Sequence, residues 1–172
     1  YQAMQRINKG NTGDKSVYTY LWNAGEGEVK TSNAGFASKQ FHVVTLSKIE
    51  AALAVMKLGY DVFFMDTDVA LLQDPFPYLL WKNVDYVHTV NLICPQALRW
   101  DFWKGSDEGN TGVYWVRSTN HTMALFEAVI KAAPSKPMLD DQNLLWIIIR
   151  SKEFADKTGI DVVALPECRD FD

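Results

Sequence analysis

The stretch YDVFFMDTDVALLQDPFP, Tyr60 to Pro77, decides the fold. Its first six residues, Tyr60 to Met65, form a short and almost continuous apolar run, the pattern of a strand covered on both faces. The run stops at Asp66, and Asp74-Pro75 marks a turn. On the amino side, Val43 to Leu58 carries Ile49, Ala52, Leu53 and Met56 at helical spacing, and Gly59 sits where a helix C-terminal cap belongs. Helix, cap and buried strand follow one another without a gap, which is an α/β texture.

Further along, Phe76 to Trp81 reads as a short helical turn and Asp85 to Val90 as a strand. Asn91 to Asn110 holds Trp100, Phe102 and Trp103 among polar residues with neither period, as a long functional loop would. Gly112 to Val116 reads as a strand, Ser118 or Thr119 as an N-cap, and Met123 to Ala133 as a helix stopped by Pro134. Asp140 or Asp141 caps a helix reaching about Arg150, and Val162 to Leu165 supplies a last strand. Before the central stretch, Ser16 to Trp22 alternates like a strand, Asn23 to Ser38 is a glycine- and serine-rich loop, and Tyr1 to Lys15 is irregular. The alternation predicts an α/β fold with a mainly parallel, doubly wound sheet flanked by helices. Ligands of such sheets bind beyond the carboxyl ends of the strands, where Asp66 and Asp68 fall.

The chain has 172 residues, 48% of them hydrophobic, enough for the core of a single domain. A net charge of -4 with scattered lysines and arginines leaves no basic stripe, so nucleic acid is not an expected partner. The longest apolar run, Leu144 to Ile149, is too short to span a bilayer and implies no membrane contact for this segment. The N-terminus lacks the sections of a signal peptide. A start at Tyr1 and an end just past a strand-like segment suggest truncation at both ends. Cys94 and Cys168 match no zinc spacing and read as two unrelated thiols. Asn120-His121-Thr122 would accept an N-glycan in a secretory compartment.

Chemistry concentrates at Asp66 and Asp68. In a strand-like stretch alternate side chains point the same way, so both carboxylates would face one ligand. Two anions so close repel unless a cation lies between them, and hard oxygen ligands suit Mg²⁺ or Mn²⁺ completed by water and phosphate oxygens. On the pair alone, a plain strand end with a turn cap is an equal reading. Asp140 or Asp141 likewise reads as a helix cap, Asn110-Thr111-Gly112 as a turn into a strand, and Lys48 as a solvated lysine near a helix start. His42, His88 and His121 have no partners at metal-ligand spacing.

Taken together, Lys48, Gly59-Tyr60-Asp61-Val62, Asp66-Thr67-Asp68-Val69, Asp74-Pro75, Asn110-Thr111-Gly112, Arg117-Ser118-Thr119 and Asp141-Gln142 resemble, in order and spacing, the nucleotide-diphospho-sugar transferase family that includes plant cell-wall xylosyl- and arabinosyltransferases. The resemblance covers roughly Phe36 to Pro166. It implies a glycosyltransferase A-type, Rossmann-like fold, transfer of a sugar to a glycan or glycoprotein acceptor with retention, and work in the Golgi lumen. It also implies that Asp66 and Asp68 hold Mn²⁺, or Mg²⁺, and the donor diphosphate. Lys48, Asn110 and Gly112 would contact the donor, and Asp141 and Gln142 would lie near the reacting sugar. A further metal ligand near the end of such domains has no candidate histidine after Leu165. Two alternatives stand beside this reading: a sugar- or nucleotide-binding module without turnover, and a haloacid-dehalogenase-type phosphatase. The latter is disfavoured by Ala70 and the Asp-Pro turn.

Overall fold

The computed structural model describes residues 5–6, 18–19, 38–79, 84–90 and 109–164. Strands β1 (Gln5–Arg6) and β2 (Tyr18–Thr19) pair antiparallel as a small ribbon. The main body follows as α1 (Lys39–Met56), β3 (Val62–Met65), α2 (Phe76–Leu79), β4 (Tyr86–Val90), β5 (Gly109–Val116), α3 (Asn120–Ala132), α4 (Asp141–Ile149), α5 (Lys152–Thr158) and β6 (Val162–Ala164). The predicted loop from Asn91 ends sooner than expected, because Gly109 and Asn110 already belong to β5. The rest of that loop, with Trp100, Phe102 and Trp103, lies outside the described residues, as do Cys94 and Cys168.

The four-stranded sheet has the order β3-β5-β4-β6. This corrects the expectation of a mainly parallel sheet. β4 and β6 are parallel, but β5 runs antiparallel to both of its neighbours, β3 and β4, and separates them. Strand direction leaves no mark on side-chain periodicity, so an inserted reversed strand reads like any other. Helices α1, α3 and α4 share one main core, in which Ile49, Met56, Leu125, Phe126, Leu144 and Ile149 pack against Tyr86, Tyr114 and Val116 of the sheet. The opposite face carries Val84, Val87 and Trp115, with Phe63 packed against them, and Phe63 meets Phe76 of α2 edge to face at 5.7 Å.

Local signals explain most element ends. The α1 helix starts four residues before Val43, because the Ser38 hydroxyl caps it by accepting from Phe41 N. Its last turn closes through Gly59 N to the Met56 carbonyl, with Gly59 at φ 86°, a left-handed conformation that favours glycine. In α3 the buried residues Thr122, Leu125, Phe126 and Val129 form one helical stripe. Thr119 is the N-cap in a reciprocal capping box with Thr122. Asn120 of the sequon is therefore the first residue of a helix, while the Thr122 hydroxyl is fully buried and also donates to the Arg117 carbonyl. Thr122→Val keeps the shape but removes these bonds, and is expected to lower stability by about 1–2 kcal/mol in equilibrium urea unfolding. The α5 helix, capped by Ser151 and ended by Gly159 at φ 63°, carries no buried residue and was not anticipated from the apolar pattern. Among the described residues, no helix is long and apolar enough to cross a membrane.

Candidate functional site

Three segments distant in sequence meet at one end of the sheet. Asp66 follows the carboxyl end of β3, Asn110 to Gly112 open the antiparallel β5 beside it, and the first turn of α4 lies over β5. The backbone fixes this junction: Asp66 N donates to the Gly112 carbonyl at 2.7 Å, and Thr111 N donates to Gln142 Oε1 at 3.3 Å.

Lys48 links the segments. It lies in the middle of α1 rather than near the start, and it is half-buried rather than solvated. Its Nζ stands 3.2 Å and 3.4 Å from the two carboxylate oxygens of Asp66 and 3.4 Å from Asp141 Oδ2. The same ammonium lies 5.5 Å from the centre of the Phe64 ring, an apolar face that strengthens its pull on the carboxylates by excluding water.

The two carboxylates differ in setting. Asp66 is 35% exposed and Asp141 3%. Asp140 is the N-cap of α4, its carboxylate accepting from Asn143 N at 2.8 Å, which leaves Asp141 in the first helical turn and pointing inward. The choice between Asp140 and Asp141 as cap is thereby settled for Asp140. Burial raises the Asp141 pKa above its ordinary value, opposed by the Lys48 charge and by a hydrogen bond with the Thr111 side chain. The N-terminus of α4 adds a favourable field for its charge.

Asp68 reaches its place differently from the strand-period expectation. The β3 strand ends at Met65, and Val69 N donates to the Asp66 carbonyl at 3.2 Å, so Thr67 and Asp68 lie in a turn. A turn, and not alternation along a strand, sets the direction of Asp68. That side chain is exposed.

Gly112 has a steric reason to be glycine. A Cβ there would come 2.7 Å from Asn110 Oδ1 and 3.1 Å from Asp66 Oδ2, and Asn110 Oδ1 already accepts from Gly112 N at 2.6 Å. Gly112→Ala is expected to push both side chains aside at a cost of about 1–3 kcal/mol. In a donor titration it should weaken binding more than it lowers the melting temperature. Gln142 and Asn110 thus both reach the site, yet each spends its carbonyl oxygen on a backbone amide of β5, which leaves their NH₂ groups as donors toward a ligand.

The residues fit a divalent cation in part. Among the described residues no group of three His, Cys, Asp or Glu side chains converges. Asp66, partly exposed and paired with Lys48, and Asp68, exposed on the same turn, can supply two carboxylates, the number Mg²⁺ often takes from protein before phosphate oxygens and water complete the shell. His88 is buried, which lowers its pKa to about 4, and its Nδ1 lies 2.6 Å from the Thr89 carbonyl. Sequence reasoning missed Phe64, Tyr86 and Tyr114, whose rings cluster beside Lys48. Each reads as core in the sequence, and only the pairing of β3 and β4 with β5 brings them together.

The charged side chains at the carboxyl end of β3, walled by the helix N-terminus of α4, lie where proteins of the open-sheet α/β class bind their ligands. Within that class the chain belongs to the nucleotide-diphospho-sugar transferase family, whose model matches residues 10–169. It is 28% identical over 147 residues, 81% of its length, to a beta-arabinofuranosyltransferase of Arabidopsis thaliana, covering 25% of that protein. It is 29% identical over 142 residues, 76% of its length, to a UDP-D-xylose:L-fucose alpha-1,3-D-xylosyltransferase of Arabidopsis thaliana, covering 39% of it. To an arabinosyltransferase of the same plant it is 25% identical over 126 residues, 71% of its length, covering 20% of that protein. The chain thus spans well under half the length of these relatives. No solved structure matches the chain. Family membership implies a glycosyltransferase A-like fold, and it displaces the phosphatase alternative.

Proposed function

We propose that this chain forms the donor site of a glycosyltransferase that moves a sugar, with retention, from a nucleoside diphosphate to a glycan or glycoprotein acceptor. The observation that carries this reading is Lys48 held between Asp66 and Asp141, which joins an open carboxylate to a buried one at the ligand end of the sheet. Asp66 and Asp68 would hold Mn²⁺ or Mg²⁺, which when bound supplies charge neutralisation for the departing diphosphate. The Lys48 ammonium lies where it can share in binding that diphosphate.

Asp141 faces the other half of the problem. As the bond to the leaving oxygen breaks, positive charge develops at the sugar carbon, and a carboxylate held in a dry setting stabilises or attacks it. Gly112 lets the backbone approach the ligand, while the NH₂ groups of Asn110 and Gln142 are donors for sugar hydroxyls. The arabinosyl and xylosyl activities of the relatives support a pentose donor, and the Golgi lumen is the matching compartment.

Release of nucleoside diphosphate from a panel of nucleotide sugars, with and without acceptor, tests the reading. Metal-dependent release from one donor is the expected result. Tight donor binding without release or transfer would instead favour the binding-module alternative.

A further inference from the structure

Behind Asp141 lie polar atoms that the donor chemistry leaves unused. Tyr86 Oη, Tyr114 Oη and Asp141 Oδ2 are all buried, and none has a hydrogen-bond partner among the described residues. The Lys48 contact with Oδ2 is an ion pair at 3.4 Å without hydrogen-bond geometry. The two tyrosines are 0% and 1% exposed. Their rings pack with centroids 5.6 Å apart, and Tyr114 stacks on Phe64 at 5.1 Å, the ring over which Lys48 extends toward Asp141. Both phenols lie within the electrostatic reach of Asp141: burial is the main cause that raises their pKa, and the Asp141 charge adds to it.

A buried phenol with no partner is a poor choice for a core, since phenylalanine would fill the same space without the desolvation cost of an oxygen. Two such hydroxyls and an acceptor oxygen with spare lone pairs are chemically complementary. Buried water characteristically makes about three hydrogen bonds to polar groups of this kind.

We propose that the hydroxyls of Tyr86 and Tyr114 are positioning groups for Asp141, joined to its Oδ2 through buried water shared among the three. Each phenol donates to water, and water donates to the carboxylate. The Thr111 side chain and Lys48 hold Asp141 from the β5 and α1 sides, so the tyrosines complete its fixation from below. The kinetic consequence rests on the proposed role of Asp141, whereas the linkage itself does not.

The test is the direction of a stability change. Tyr114→Phe and Tyr86→Phe are each expected to lower the melting temperature by a few degrees, and that loss should vanish in an Asp141→Ala background. An unchanged or raised melting temperature would mean that the hydroxyls are unbonded, and an equal loss in both backgrounds that they bond elsewhere. Either result overturns the proposal. In turnover, Tyr114→Phe should lower kcat about tenfold at unchanged donor KM, as expected for a misplaced reacting group. An unchanged kcat would overturn the positioning role. The assignment of Asp141 itself is read separately, from Asp141→Asn.

Discussion

Asp141→Asn is expected to reduce turnover by roughly 10²–10³-fold, the usual loss when one group aimed at transition-state charge is neutralised, while donor affinity stays unchanged. Asp141 is 3% exposed and paired with Lys48, whereas the proposed diphosphate end of the site is at Asp66 and Asp68. Removing its charge therefore acts first on the proposed reacting centre and reaches the anchor only through the Lys48 ion pair, while Asp66 still holds Lys48. Steady-state kinetics beside direct donor titration separates the two effects, and a large loss of affinity would contradict the division of labour. The same variant carries a stability signature. Burial raises the Asp141 pKa above its ordinary 3.8, so the folded chain holds that proton more tightly than the unfolded one. The associated stability is fully present below about pH 3.8 and declines as pH rises through the folded-state pKa. Asparagine does not titrate, so the melting temperature of the variant should gain on the native chain as pH rises from acid to neutral. A pH-independent difference would mean that Asp141 titrates alike in both states.

Asp68→Asn should abolish metal-dependent donor binding and leave the fold intact. Its side chain is exposed and lies in the turn after β3, with no hydrogen bond or ion pair among the described residues, so nothing in the core depends on it. A cation held by two carboxylates loses half of its protein charge when one becomes an amide, and hard divalent ions bind amides far less well than carboxylates. Calorimetric titration with donor and Mn²⁺ measures the effect, with unfolding curves as the control. Asp66→Asn is less clean, because it also removes a partner of Lys48 beside the buried Asp141.

Much of the frame was legible in Tyr60 to Pro77. The apolar run gave β3, Gly59 gave the end of α1, and the pairs Ser118/Thr119 and Asp140/Asp141 bracketed the starts of α3 and α4, because capping and left-handed turns are local requirements that only a few residue types meet. The reversed direction of β5 was not legible. Pairing partners are chosen by packing across the sheet, and Gly109 to Val116 would show the same side chains in either direction. The short α5 was missed for a different reason: Ser151 and Gly159 are good caps, but of the seven residues between them only Phe154 and Ala155 are apolar, and Phe154 packs only partly buried against the core, so no stripe forms.

The candidate site divides in the same way. Asp66 and Asp68 stand together in the sequence and were found there, although the turn at Thr67, and not strand alternation, directs Asp68. Lys48 and Asp141 were tied to them by family resemblance alone. Their meeting depends on α1 and α4 packing on one face of the sheet, a long-range consequence of burial that no local pattern contains. Tyr86 and Tyr114 were invisible as site residues because a strand tyrosine in an apolar run reads as core.

The central claim is a metal-dependent nucleotide-sugar site at Asp66 and Asp68, and its most direct test is a thermal-shift titration. The purified chain would be titrated with UDP, GDP and their sugars, each with Mn²⁺ and with a chelator. A ligand that binds only the folded state must raise the melting temperature. The account predicts a rise with one nucleotide series in Mn²⁺ that is lost with chelator. A folded chain whose melting temperature is indifferent to every nucleotide, or that responds equally with chelator present, would contradict it.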